Sequence, residues 1–233
     1  VWVYVVWGAV PLVGTVLVQK LETRDHWPLS AYPGAYFGWG WTMAVGYLGG
    51  WLLATGLVRG DADPIPYVLL INPVELVQIG ILLLGVKWLG HLSDPAHPEH
   101  KRIGRIGLGA LAFFWINTVI ARAVHHYAGI PYPIDRIVES DAFLTTVTIV
   151  WTIIALMLMG YATRRSVRGY WMIGAGLLAV VIAKLFLVDM GNLALIGRIV
   201  TFISVGVLML VIGYFAPLPP KGDNGKEMET VRP

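Results

Sequence analysis

AKLFLVDMGNLALIGRIVTF, residues 183–202, is apolar at both ends yet carries Lys184, Asp189 and Arg198 around a short turn. A charge at the middle of a lipid-embedded helix costs at least ~2.5–3.5 kcal/mol on insertion scales. Three of them flanking one turn need partners or water. The stretch therefore predicts two membrane helices meeting at a polar turn, inside a bundle whose other helices answer those charges.

Composition agrees with that reading. Of the 233 residues, 57% are hydrophobic and 13% charged, with a mean hydropathy of +0.69. A soluble domain carries roughly 25% charged residues. The apolar excess comes in blocks, about 1–18, 36–58, 67–90, 106–128, 142–162, 169–188 and 194–216. Most reach the ~20 residues a helical span requires. The fold class expected is all-α, a polytopic transmembrane helix bundle of about seven spans. Residues 1–216 form the membrane domain. The proline-rich, polar stretch 217–233 forms a disordered cytoplasmic tail. The first block has no initiator Met and no basic flank, so residue 1 reads as an internal cut in a longer protein. Pro11 predicts a kink there.

Lysine and arginine orient the bundle. Lys20, Arg24, Lys101, Arg102, Arg105, Arg164, Arg165, Arg168, Lys221, Lys226 and Arg232 fall on one set of connections, and only Arg59 and Arg136 on the other. The first set is expected to be cytoplasmic, with the C-terminus inside. The net charge of +3 is spread over these short loops, which argues against nucleic acid as a partner. With no cysteine there is no disulfide framework, thiol nucleophile or thiolate metal site.

Several constellations lie in the membrane blocks. Asn72, Glu75 and Gln78 step by three along the third block, beside Pro73, which has no amide hydrogen and should loosen the backbone. Glu75 there must be neutral or paired. Thr118, Arg122 and His125 share a face of the fourth block, with His126 alongside. Arg122 lies ~9 Å from the outer end at helical rise, so it either snorkels outward or pairs with Glu75. Asp141, Thr145, Thr148 and Thr152 form a polar stripe, and such threonines commonly bond back to their own helix. Lys184 and Asp189 do not share a face, so Lys184 must reach another helix. Gly46, Gly50 and Ala54 form a small-residue stripe suited to close helix packing.

By depth, Asn72, Glu75, Arg122, His125, His126, Asp141, Lys184, Asp189 and Arg198 gather in the outer half as a candidate polar cluster. It is either an ion-pair lattice or an outward-open pocket with acid and base groups. His91, His97 and His100 in the prolyl loop match no ligand rule, so no metal site is expected. No phosphate loop, GxSxG or HExxH occurs, and no cofactor is expected.

The order of INPVELVQ, FFWINTVIARAVHHYAGIP, TIVWTIIALMLMGY and residues 183–214 resembles the multi-pass bacterial membrane proteins grouped as domain of unknown function 2339 (DUF2339). The likeness runs over about 67–215, the C-terminal portion of such chains. Asp141 departs from it, standing where a polar uncharged residue is expected. The resemblance implies a multi-pass protein of the bacterial inner membrane and no established activity.

Three functions fit these residues. The first is a transport or solute-binding module, with Arg122, Lys184 and Arg198 facing a small polar or anionic solute. The second is a membrane enzyme acting on a lipid-linked or envelope glycan, with His125 or His126 as base. The third is an ion-paired structural or sensory scaffold. The lipid bilayer is a partner in all three. No catalytic residue is assigned, and the balance is against an enzyme.

Overall fold

The computed structural model describes residues 1–22, 27, 31–32, 34–91, 98–187, 203, 206 and 210. Asp189, Arg198, the block 194–216 except residues 203, 206 and 210, and the tail 217–233 lie outside them. Among the described residues the protein is all-helical, and the only pairing of extended backbone is an isolated bridge between Ala62 and Ile65. Its helices are α1 (Trp2–Glu22), α2 (Trp41–Thr55), α3 (Pro73–His91), α4 (Pro98–Ala128), the short α5 (Ile134–Val138), α6 (Asp141–Arg165) and α7 (Arg168–Leu187). Five of them, α1, α3, α4, α6 and α7, are long and apolar enough to cross a membrane. Helix α2 has 15 residues and is preceded by a π-helical segment, Gly34–Gly40.

Two compact units divide the chain, Val1–Leu144 and Thr145–Pro233. In the first, α1 to α4 pack together around Leu48, Trp51 and Leu52 of α2 and Val74, Val77, Ile81 and Leu84 of α3. Leu12 of α1 and Phe114 of α4 close this core. The outward surfaces stay apolar: Val3, Val10, Met43, Leu76, Leu83 and Ile106 are all exposed. In water that would be a liability, whereas facing lipid it is the expected arrangement.

Pro11 does not break α1, which continues to Glu22. Proline cannot donate to the carbonyl four residues back. The Tyr47 hydroxyl donates to that carbonyl, Trp7 O, at 3.2 Å, so the group freed by Pro11 is answered from α2. Among the described residues nothing packs on the Gly46–Gly50 stripe, where a Cβ on either residue would meet nothing within 4 Å.

In the second unit, α6 and α7 form a hairpin turned at Ser166 (φ 55°), with Val167 N donating to Ala162 O at 3.0 Å. The helices approach closely at Gly174. A Cβ there would lie 2.7 Å from Met159 Cγ and 2.9 Å from the Ala155 carbonyl oxygen. Lys184 on α7 donates to Thr148 Oγ1 on α6, as expected of a lysine that must look to another helix. Thr152 bonds back to Thr148 O at 2.7 Å.

Candidate functional site

Helix ends are the difficulty of any membrane bundle, because carbonyls and amides left without partners cannot turn to water. At one end of the first unit the C-terminus of α2, the N-terminus of α3 and the C-terminal part of α4 meet. Arg122 of α4 sits among them with 0% exposure. Its Nη2 donates to Thr55 O at 2.7 Å and its Nε to Val58 O at 3.0 Å. Thr55 O lies at the C-terminal end of α2, where a cation is also favoured by the helix dipole, and Val58 O lies in the loop that follows. Its Nη1 donates to Gln78 Oε1 at 3.0 Å and lies 3.7 Å from Glu75 Oε1.

Glu75 is equally closed off, at 0% exposure. Its carboxylate accepts from the Tyr67 hydroxyl and from Leu70 N, each at 2.7 Å. Asn72 is the N-cap of α3. Its Oδ1 accepts from Val74 N at 3.0 Å, and its Nδ2 donates to Gly60 O at 2.6 Å. Pro73 occupies the first helical position, where a missing amide hydrogen costs nothing. The expectation that Pro73 loosens the backbone is thereby corrected: it starts the helix, six residues later than the apolar block suggested. Gln78 completes the ring by donating to Thr55 Oγ1 at 3.0 Å. Thr55 in turn donates to Trp51 O at 2.9 Å.

Gly60, with φ 87°, lets the connecting loop pass over the guanidinium. A Cβ there would stand 3.3 Å from Arg122 Cδ. Tyr132 donates to Val58 O at 3.0 Å from the other side. Burial pushes the phenols of Tyr67 and Tyr132 above the usual tyrosine range, and for Tyr67 the hydrogen bond to Glu75 pushes in the same direction.

Around this closed centre runs a half-exposed rim. His125 Nδ1 lies 2.6 Å from Ile130 O. His126 Nε2 lies 3.2 Å from Arg59 O and 3.5 Å from Asp61 Oδ1, and its ring is stacked on Tyr67 with centroids 4.1 Å apart. A cavity of about 490 Å³ opens nearby between Gly56, Phe114, Tyr132 and Ile137, with Arg59, Asn117 and Thr118 among its walls. Most of its lining is apolar. None of Asn72, Glu75, Arg122, His125 or His126 contributes to it.

Of the nine residues marked in the sequence, Asn72, Glu75, Arg122, His125 and His126 come together in the first unit. Asp141 is exposed at the first turn of α6, directly after Ser140, whose Oγ accepts from Phe143 N at 3.3 Å. There its charge suits the N-terminal dipole. Lys184 belongs to the second unit, and Asp189 and Arg198 lie outside the described residues. Sequence reasoning missed Thr55, Asp61, Tyr67 and Tyr132 as site residues. Tyr67 and Asp61 sit in a connection with no helical or other period, so no spacing signal marked them.

Against known families, the model described as "Predicted membrane protein (DUF2339)" matches residues 1–219. No curated protein and no solved structure matches.

Proposed function

The chain belongs to the DUF2339 family of predicted membrane proteins, and from that premise we propose that the first unit is an ion-paired membrane scaffold. Arg122 is its clamp, and the rim of Asp61, His125 and His126 is the surface it holds in place. One observation carries the reading: a guanidinium with no exposure whose hydrogen bonds go to Thr55 O at the end of α2, Val58 O in the following loop and Gln78, with Glu75 as its ion-pair partner at 3.7 Å. A solute-binding arginine keeps donors free for its ligand. Here all three guanidinium nitrogens donate within the protein, to the end of α2, the loop after it and Gln78, and Arg122 does not line the nearby cavity.

Within this proposal the bundle has seven spans, α2 extended by the π-helical segment being the second and residues 194–216 the last. The loop 56–72 and the α4–α6 connection face outward, and the tail 217–233 is cytoplasmic. The site is the bacterial inner membrane. The asymmetry of lysine and arginine between the two sets of connections supports that orientation.

The absence of cysteine allows a direct test, since any introduced thiol is unique. In purified protein, Thr55→Cys places a thiol beside the guanidinium, and Asp63→Cys places one on the exposed loop. A small charged, water-soluble thiol reagent should modify the loop variant and leave the Thr55→Cys variant unmodified until the protein is unfolded. Equal rates in the folded protein would mean a wet pocket and would favour the solute-binding reading.

A further inference from the structure

Three metal-ligating side chains meet on the rim, outside the arginine clamp. One ligand-type atom each from Asp61, His125 and His126 lies within 4.8 Å of the others. We propose that they form a binding site for a divalent transition metal of the zinc class, with two imidazoles and one carboxylate as protein ligands.

The ring orientations favour this. Ile130 O can only accept, so the 2.6 Å contact fixes the hydrogen of His125 on Nδ1 and leaves the Nε2 lone pair for a metal. A carbonyl behind a ligating histidine is the usual way its tautomer and direction are set. His126 is held differently. Tyr67 stacks on the ring at an interplanar angle of 8°, and Nε2 faces two oxygens, Asp61 Oδ1 and Arg59 O. A proton on Nε2 is shared between those oxygens in the metal-free protein. A divalent cation would replace it, with the proton released to solvent and Asp61 Oδ1 on the same side of the ring.

The spacing requires a modest closure. Ligands on a tetrahedral centre with bonds of ~2.0–2.2 Å stand roughly 3.3–3.6 Å apart. His125 and His126 are fixed by α4, so the adjustment falls on Asp61. Its side chain is 49% exposed, against 19% for His126, and it lies on a loop. Three protein ligands leave a coordination position for water, the pattern of an accessible site and not of a sealed structural one. With no cysteine in the chain, imidazole and carboxylate are the strongest ligands available. The inference does not depend on the scaffold reading. Neither Asp61 nor His126 bonds Arg122, and a solute-binding Arg122 would leave it intact.

The test uses the purified full chain without a polyhistidine tag, titrated with Zn²⁺ against a chromogenic chelator. Co²⁺ serves as a spectroscopic probe of geometry. The wild type should take up one equivalent. Asp61→Ala and His126→Ala should each weaken it at least ~tenfold, as loss of even outer partners does at metal sites. The pair His97→Ala with His100→Ala, distant in sequence from the three ligands, should leave it unchanged. Asp61 is exposed, so its variant reads binding without a folding defect. Wild-type protein that binds no Zn²⁺, equal affinity in Asp61→Ala, or loss that follows the His97 and His100 pair would each overturn the proposal.

Discussion

Arg122 and Glu75 approach to 3.7 Å with neither side chain exposed, yet each also has partners that do not depend on the other. The arginine holds two backbone carbonyls and Gln78, while the glutamate holds Tyr67 and Leu70 N. Removing one member of a buried pair typically costs ~3–5 kcal/mol. Arg122→Met should fall in that range, because it leaves the buried Glu75 carboxylate without its cation and takes one donor each from Thr55 O, Val58 O and Gln78 Oε1. Glu75→Gln keeps an acceptor and should cost only about 1–3 kcal/mol. The double variant should be milder than the sum of the singles, with a coupling of ~0.5–3 kcal/mol read from thermal unfolding in detergent. Strict additivity would dissolve the pair.

Shape matters here as much as charge. The three acceptors of Arg122 lie on different elements, at the end of α2, in the following loop and on α3. A planar guanidinium reaches all of them, whereas an ammonium on a shorter stem is a single point of charge. Arg122→Lys should therefore destabilise by at least about 1–3 kcal/mol, the cost of a buried acceptor left unmade. Stability close to wild type would show that charge alone suffices.

Asn72 works through both ends of its amide. Asn72→Asp preserves the cap on Val74 N but cannot donate to Gly60 O, and it adds a second buried carboxylate near Glu75. Asn72→Ala loses both contacts. Cap loss alone costs ~0.5–2 kcal/mol. The aspartate variant is expected to be no better than the alanine one, reversing the usual order at exposed N-caps. A rescue by aspartate in unfolding experiments would contradict the role assigned to Gly60 O.

Much of this was legible in the residues. Five of the seven apolar blocks became helices long and apolar enough to span a membrane among the described residues, and the Arg122–Glu75 alternative to snorkelling followed from helical rise and the cost of a lone charge. What the sequence could not supply was the loop. Residues 56–72 fold back over the arginine through Gly60, and the glutamate is held by Tyr67 and Leu70, contacts with no periodic signal. Depth also overstated the cluster. Asp141 lies near the outer end of its span by count, but its position in the first turn of α6 leaves it exposed. Depth along a helix fixes height, and only packing fixes which side a residue faces.

Alkaline stability should report on Tyr67. Burial first, and then its hydrogen bond to Glu75, raise its titration above the ordinary tyrosine value of ~10. A group raised in the folded state stabilises fully below its unfolded value, and that contribution fades as pH climbs through the folded one. Unfolding temperature should therefore decline from about pH 10 upward as the unfolded chain sheds phenolic protons. Tyr132 shares the effect. Tyr67→Phe should flatten the decline in part, and Tyr67→Phe with Tyr132→Phe should flatten it further. Identical pH profiles for wild type and both variants would refute this.

Orientation gives the last expectation. The ends of α2, α3 and α4 that carry the clamp lie together, so in the proposed bundle the loop 56–72 and the α4–α6 connection share one side of the membrane. Arg59 and Arg136 belong to these two connections, and counting spans along the sequence assigns the basic residues of the α3–α4 and α6–α7 connections to the other set. The excess of lysine and arginine predicts that the clamp side is outside. In the cysteine-free chain, Asp63→Cys and Asp135→Cys should react with a membrane-impermeant maleimide on intact spheroplasts. Arg102→Cys and Arg165→Cys should react only after lysis. All four wild-type residues are exposed, so failure to label would reflect the membrane and not burial. The opposite pattern would place the rim of Asp61, His125 and His126 in the cytoplasm, where any metal it held would come from the intracellular pool.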